Sequence, residues 1–265
     1  MRFLVTLFSL LVTIKVANGQ ITPIPHSHAH NDYLHKRPLL NALENGFTSI
    51  EIDVFLHKDK LVVSHVGIAL STKKTLEELY LEPAKEIIAQ NNGWVYSTIK
   101  KPVVFMIDFK TESTATYEKL KEILARYPEI ITTYKGDSVI EQRAINILIS
   151  GSSPISSLQK EERGLATIDA NISNIANPEV RKVSTRFSSS WSRYFKWRGI
   201  SEIPANEKSV LDSLVTLVHS YNKDIRFWAI PDKPSVWKTL LDAGVDWINT
   251  DKLSGYRKFY GDIAR

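Results

Sequence analysis

Short runs rich in β-branched and aromatic residues recur along the chain at residues 25–30, 48–55, 103–109, 145–150, 166–169, 183–187, 225–230 and 247–250. Each has the length of a strand rather than of a helix. Between several of them the apolar period lengthens to that of an amphipathic helix, at residues 38–45, 114–126, 207–221 and 234–243. Gly46 and Gly244 stand where helix C-caps are needed, and Pro234 stands at a helix start. Eight strands alternating with helices predict one parallel sheet wrapped by helices, a single (β/α)8 TIM barrel of the α/β class. Residues 66–101 exceed what a crossover needs and carry a helical pattern over residues 75–90, so an excursion over the barrel mouth is expected there.

Side chains two apart on a strand share a face. Glu51 and Asp53 therefore point together, while Ile50, Ile52 and Val54 point the other way. On the third run Val103, Phe105, Ile107 and Phe109 form the apolar face, which leaves Met106, Asp108 and Lys110 on the other. Glu51, Asp53 and Asp108 thus converge at one mouth. Three carboxylates inside a barrel repel one another and resist desolvation unless a cation compensates, and a hard, oxygen-loving divalent ion, Mg²⁺ or Ca²⁺, suits them better than zinc. An ion-pair network through Lys110 is the competing structural explanation.

His30 ends the first strand, and His65 follows a hairpin-like segment at residues 61–63 whose pairing with residues 48–55 brings it toward the acids. Two imidazoles beside a metal-bound phosphate have the chemistry of a general base and a general acid at neutral pH. His28, two residues before His30, shares its face and ranks as a spare ligand or orienting group. Arg186 offers a planar donor fork for phosphate oxygens, and Trp228, on one face with Arg226, offers a wall under a substrate. Residues 191–198 mix aromatics with bases, a composition that fits either an amphiphilic or membrane contact or simple packing on the rim.

Composition narrows the setting. With 265 residues and 43% apolar content the chain is long enough for one large barrel, read here over residues 20–265. Residues 1–19 carry Arg2, an apolar run, Lys15 and a small-residue stretch ending in Gly19, the pattern of a secretory signal peptide; an uncleaved membrane anchor is the alternative. The expectation is a secreted or periplasmic protein beginning at Gln20. The absence of cysteine excludes disulfides and a lipid-modified cysteine at the cleavage site. Cleavage removes Arg2 and Lys15 but no acid, so 34 bases become 32 against 29 acids and net charge falls from +5 to +3. So small a surplus does not point to nucleic acid, though it tolerates an anionic small molecule or lipid surface.

The order His30, Glu51-x-Asp53, His65 after Val62-Val63, and Asp108-x-Lys110 resembles the phosphatidylinositol-specific phospholipase C-like phosphodiesterases, most of all their glycerophosphodiester phosphodiesterase branch. Trp228, Gly244-Val245-Asp246 and Thr250-Asp251 are similar to that branch's closing strands. The branch has His-Arg-Gly, His-Asp and Glu-x-Lys where this chain has His30-Asn31-Asp32, His65-Val66 and Asp108-Phe109-Lys110. The aspartate third ligand is closer to sphingomyelinase D-type relatives, and the His-Asn-Asp-Tyr form is similar to a bacterial and fungal subgroup.

The resemblance implies a phosphoric diester hydrolase. Its catalytic residues would be His30, His65 and Lys110, its divalent cation would be held by Glu51, Asp53 and Asp108, and its substrate contacts would come from Asn31, Arg186 and Trp228. A glycerophosphodiester or a phospholipid headgroup is the implied substrate, and attack by a hydroxyl of the substrate itself implies a cyclic phosphate. Two rivals are a non-catalytic barrel that binds phosphorylated lipid or glycan, and an amidohydrolase-type metalloenzyme using His28 and His30. The second also needs histidines on later strands, and none lies between His65 and His219.

Overall fold

In the computed structural model, which describes residues 21–264, all eight expected strands form: β1 (Ile24–Ala29), β2 (Phe47–His57), β3 (Val103–Phe109), β4 (Ile145–Gly151), β5 (Thr167–Asn171), β6 (Ser184–Ser190), β7 (Asp224–Trp228) and β8 (Trp247–Thr250). Each pairs in parallel with the next, and β1 pairs with both β2 and β8, which closes the sheet into a barrel. The signal-peptide reading of residues 1–19 lies outside the described residues. Among those described, no helix is long and apolar enough to cross a membrane.

Alternation along the strands sorts the two faces. Ile50, Ile52 and Val54 of β2, Phe105 and Ile107 of β3, and Ile145, Ile147 and Ile149 of β4 are fully buried in the shared hydrophobic core. The intervening positions fill the barrel interior with Ser49, Glu51, Asp53, Met106 and Asp108. Register sets Asp53 opposite Asp108 and Asp108 opposite Ser150, so these three form one layer near the C-terminal ends of the strands, where TIM barrels place their chemistry.

The principal helices are α1 (Leu40–Glu44), α2 (Glu82–Gln90), α3 (Ser113–Leu124), α4 (Ile155–Leu158), α5 (Pro178–Arg181), α6 (Ala205–His219), α7 (Pro234–Asp242) and α8 (Leu253–Ile263). Helix α1 starts later than its apolar pattern suggests because Leu39 has φ +63° and gives its amide N–H to the buried Asp32 carboxylate at 2.6 Å. Gly46 and Gly244, both at φ +82°, end α1 and α7 as expected. Helix α8 was not anticipated, because Gly255 and Gly261 dilute its signal. A strand at Lys60–Val63 pairs antiparallel with the end of β2, and a hairpin of Thr133–Lys135 and Ser138–Glu141 forms a separate sheet.

The expected excursion over the mouth is mostly a crossover instead. From Thr75 the chain leaves the rim, and Leu76, Tyr80, Leu81, Ala84 and Ile88 are buried along the π-helical turn Glu77–Leu81 and α2. The Tyr80 ring meets Phe105 at 6.1 Å, and the Tyr96 hydroxyl donates to the Phe47 carbonyl at 2.7 Å, at the opposite end of the barrel. An apolar stripe that long has to be covered by the core, so only the segment before it stays at the rim.

Candidate active site

The mouth holds a cavity of about 400 Å³ lined by His30, Asn31, Glu51, His65, Asp108, Lys110, Ser150, Gly151, Asp169, Asn171, Ser188, Arg226 and Trp228. Strand β2 contributes Glu51 and Asp53 and β3 contributes Asp108, while His30 and Lys110 are the residues that follow β1 and β3. The antiparallel pairing of Val63 with Val54 lowers the next turn, so that His65 reaches Asp53.

Glu51, Asp53 and Asp108 each offer a carboxylate oxygen within 4.8 Å of the others. Asp53 divides its two oxygens between different surroundings. Its Oδ2 accepts from Lys110 Nζ at 2.9 Å and from Tyr33 Oη at 2.8 Å, and lies 3.1 Å from His65 Nδ1, whereas its Oδ1 is buried with no hydrogen-bond partner. Asp108 fits its place only because residue 151 lacks a side chain: a Cβ on Gly151 would lie 2.4 Å from Asp108 Oδ1. Burial pushes the Asp108 carboxyl up, the charges of Asp53 and Glu51 add to this, and Lys110 at 3.2 Å works against it.

Four carboxylates, Glu51, Asp53, Asp108 and Asp169, meet two cations at this level, because Lys110 bridges Asp53 and Asp108 while Arg226 bridges Glu51 and Asp169. The all-oxygen donor set, the unpartnered Asp53 Oδ1 and the remaining negative charge fit a hard divalent cation held by Glu51, Asp53 and Asp108.

His30 Nδ1 donates to Asp251 Oδ1 at 2.6 Å, so Nε2, which has Asn31 Nδ2 3.3 Å away, is the nitrogen turned from that carboxylate. Burial alone would lower the His30 pKa, but the hydrogen bond and charge of Asp251, together with Glu51, outweigh it and leave the imidazole raised. His65 has a side chain 57% exposed, and its Nδ1 lies 3.0 Å from the Tyr33 hydroxyl as well as near Asp53. Asn31, at φ +49°, places its Oδ1 2.5 Å from the same hydroxyl, so that it and Asp53 Oδ2 compete for the one phenol proton. Lys110 and Trp228 also reach the cavity as expected, the latter 42% exposed.

His28 is fully buried and is no ligand on the surface of the cavity. Ser49 Oγ lies 2.7 Å from its Nδ1, and its Nε2 lies 3.0 Å from Arg226 Nη1 and 3.1 Å from Glu51 Oε2, so its ring is wedged against that guanidinium and carboxylate beneath the cavity. Burial and the charges of Arg226 and Arg186 lower its pKa and keep it neutral.

Arg186 requires a correction. Register pairs it with Asp224, whereas Arg226 pairs with Ser188, which puts Arg186 one layer below the mouth. It is 2% exposed, stacks on Trp247 at 4.2 Å, and does not line the cavity; burial pulls its guanidinium down to about 10. Arg226 occupies the mouth position instead, anchored by Asn249 at 2.7 Å and Asp169 at 3.1 Å.

The aromatics of residues 191–198 are also internal. Trp191, Phe195 and Trp197 pack together and onto Phe227, with Trp191 and Phe195 centroids 4.1 Å apart, so the rim-packing alternative describes them. Tyr33, Asp169, Arg226 and Asp251 are among the contributors that sequence reasoning did not assign to the site, as are Ser150, Gly151, Asn171 and Ser188 of the cavity lining. The pairing of Asp251 with His30 spans 221 residues, a separation that no local pattern encodes.

A family model for the AIM6-like phosphodiesterase domain matches residues 15–165, and one for the glycerophosphoryl diester phosphodiesterase family matches residues 224–254. The chain is 28% identical over 270 residues to the altered inheritance of mitochondria protein 6 of Eremothecium gossypii, covering 88% of this chain and 68% of that protein. It is 24% identical over 277 residues to the homolog of that protein in Arthroderma benhamiae, covering 91% and 85%. Crystal structures of glycerophosphodiester phosphodiesterases share the fold. That from Parabacteroides distasonis has a TM-score of 0.57 at 15% identity over 91% of this chain and 99% of its own, and that from Agrobacterium tumefaciens has 0.51 at 12% over 90% and 100%. With more than half its length matched by one family model, the chain belongs to the AIM6-like phosphodiesterase domain family.

Proposed function

We propose that the chain is a metal-dependent phosphoric diester hydrolase that uses two histidines, acting on a glycerophosphodiester or a phospholipid headgroup. The observation that carries this reading is that His30 and His65 line one cavity with the Glu51, Asp53 and Asp108 cluster. A divalent cation, Mg²⁺ or Ca²⁺, held by those three carboxylates would supply charge neutralisation for the phosphate oxygens. Lys110 adds a fixed positive charge beside them, and Asn31 and Trp228 border the space left for the alcohols.

His65 takes the proton of the attacking hydroxyl as the new P–O bond forms. His30, whose cation is favoured by Asp251, gives its Nε2 proton to the leaving alkoxide as the old P–O bond breaks. Attack by a hydroxyl of the substrate yields a cyclic phosphate and an alcohol, and water then opens the ring; attack by water yields the two products directly. The lipid option is supported by Leu34, Val66, Ile68 and Ile200, which are exposed on loops that follow β1, β2 and β6 at the mouth end. The secretory reading of residues 1–19 belongs to the same proposal and is checked by finding mature protein with Gln20 first.

The test is to incubate purified protein with a panel of glycerophosphodiesters, lysophospholipids and sphingolipids, with and without chelator, and follow phosphorus species by NMR. Chelator-sensitive turnover that is lost in Glu51→Gln and His30→Ala is expected. Wild-type turnover in either variant refutes the assignment, and ligand affinity without turnover replaces it with a binding protein.

A further inference from the structure

We propose that Tyr33 is a positioning residue for His65: its phenol, steered by Asn31, holds the imidazole with Nδ1–H turned toward Asp53 and leaves Nε2 as the nitrogen available to substrate. The kinetic part of this inference rests on the phosphodiesterase reading; the structural part does not.

His65 opens a run of five exposed residues, His65 to Ala69. Ser64 is the last amide before this run to bond the barrel, donating to the Asp53 carbonyl at 3.1 Å, and among the described residues no backbone bond is donated by His65, Val66, Gly67 or Ile68. The imidazole is therefore oriented by side chains. Two reach its Nδ1: Asp53 Oδ2 at 3.1 Å and the Tyr33 hydroxyl at 3.0 Å, with the two rings 22° from parallel at 6.5 Å. An ionised carboxylate only accepts, so Nδ1 carries the proton. An imidazole in water prefers the opposite tautomer, with its proton on Nε2, so the site has to hold His65 against its own preference.

Asp53 by itself is a poor clamp, because the same Oδ2 also accepts from Lys110 at 2.9 Å and has the Tyr33 hydroxyl 2.8 Å away. The phenol adds a second acceptor for Nδ1–H while its own proton goes to Asn31 Oδ1 or Asp53 Oδ2.

The run Asn31-Asp32-Tyr33 is built for this placement. Asn31 supplies a left-handed residue, at φ +49° and ψ +41°, that turns the chain out of β1. Asp32, fully buried, anchors the turn by accepting from the Leu39 amide at 2.6 Å and the Tyr80 hydroxyl at 3.0 Å. Tyr33 is thereby carried back over the mouth on a short 3₁₀ turn, Asp32–Leu34. The three residues divide turn, anchor and reach among themselves.

The experiment compares wild type with Tyr33→Phe, which keeps the ring and removes the hydroxyl. Long-range ¹H–¹⁵N spectra of the imidazoles, assigned with His65→Ala and recorded without substrate, are expected to show a single Nδ1–H tautomer for His65 in wild type and an averaged mixture in the variant. On the best substrate, kcat is expected to fall about tenfold with KM unchanged, a fraction of the 10²–10⁴ that acid–base catalysis supplies. In a His65→Ala background the same substitution should cost nothing further.

An unchanged His65 tautomer in Tyr33→Phe, or an equal kcat loss in the His65→Ala background, overturns the proposal. Should Tyr33→Phe fail to fold, Asn31→Gly, which preserves the left-handed turn and removes the phenol's acceptor, reads the same tautomer. If wild type turns over no phosphodiester, the phosphodiesterase reading fails, and the tautomer spectra alone decide the role of Tyr33.

Discussion

Replacing Gly151 by alanine tests whether Asp108 is held in place for a cation. Gly151 ends β4 at φ +71°, and an added Cβ would lie 2.4 Å from Asp108 Oδ1 and 2.7 Å from the Phe109 carbonyl oxygen. A Cβ on Gly93, at φ +89°, would have nothing within 4 Å, so Gly93→Ala measures the backbone cost alone. That cost is about 1–2 kcal/mol for an L-residue in the left-handed region. The steric term at Gly151 adds about 1–3 kcal/mol, the usual cost of overpacking. Gly151→Ala is thus expected to lose about 2–5 kcal/mol, and its Tm to fall further than that of Gly93→Ala by roughly 2–4 °C per kcal/mol of difference. The Asp108 carboxylate yields before the Phe109 backbone does, because it turns about two soft torsions. Calorimetric titration with Mg²⁺ and Ca²⁺ should therefore show affinity at least about tenfold weaker in Gly151→Ala, about 1.4 kcal/mol, and unchanged in Gly93→Ala. Wild-type cation affinity in Gly151→Ala, or equal Tm losses in the two variants, would refute the argument.

Asp251→Asn removes the main partner that raises His30, while the burial that lowers it remains, so an NMR titration should find the His30 pKa below its wild-type value. Because the folded value is raised, the pair's stabilisation is fully present below the ordinary histidine pKa of about 6.5 and fades as pH rises through the folded value; an unchanged titration counts against the pairing. Arg226→Met strands Asp169 and Glu51 and should cost about 3–5 kcal/mol in urea unfolding. Arg186→Met removes a buried guanidinium with no carboxylate within bonding distance, and should be neutral or stabilising by up to about 4 kcal/mol with KM unchanged; a large KM increase would return Arg186 to the substrate. Trp228→Ala, which strips one wall of the cavity, should raise KM while leaving kcat in place, as steady-state kinetics on the best substrate will read.

The barrel was legible because its signal is local. Each strand announces itself through a short β-branched or aromatic run, and the period of two tells which side chains turn inward. That was enough to group Glu51, Asp53 and Asp108, since adjacent parallel strands in register keep equivalent positions level. It was also enough to bring His65 back, because the Lys60–Val63 segment has a strand's composition and only β2 lies beside it. Helix boundaries were less legible where tertiary contacts overrule propensity, as when Asp32 captures the Leu39 amide and delays α1.

Alternation reports a face but not a depth, and the two inward-facing arginines separate on that ground. Arg186 and Arg226 both point into the barrel, yet their heights differ by one layer because Arg186 is level with Asp224 and Arg226 with Ser188. That offset depends on the stagger between strands, which a strand's own residues do not encode. Tyr33 was missed for a related reason: it lies on no strand, and its reach to Asp53 and His65 depends on the left-handed turn at Asn31 and the anchor at Asp32. A short run of Asn, Asp and an aromatic directly after a strand that ends in histidine is nevertheless a physical signal. Asn tolerates the turn, a buried Asp must be satisfied by nearby donors, and an aromatic carried by such an anchored turn has few directions left except back across the mouth.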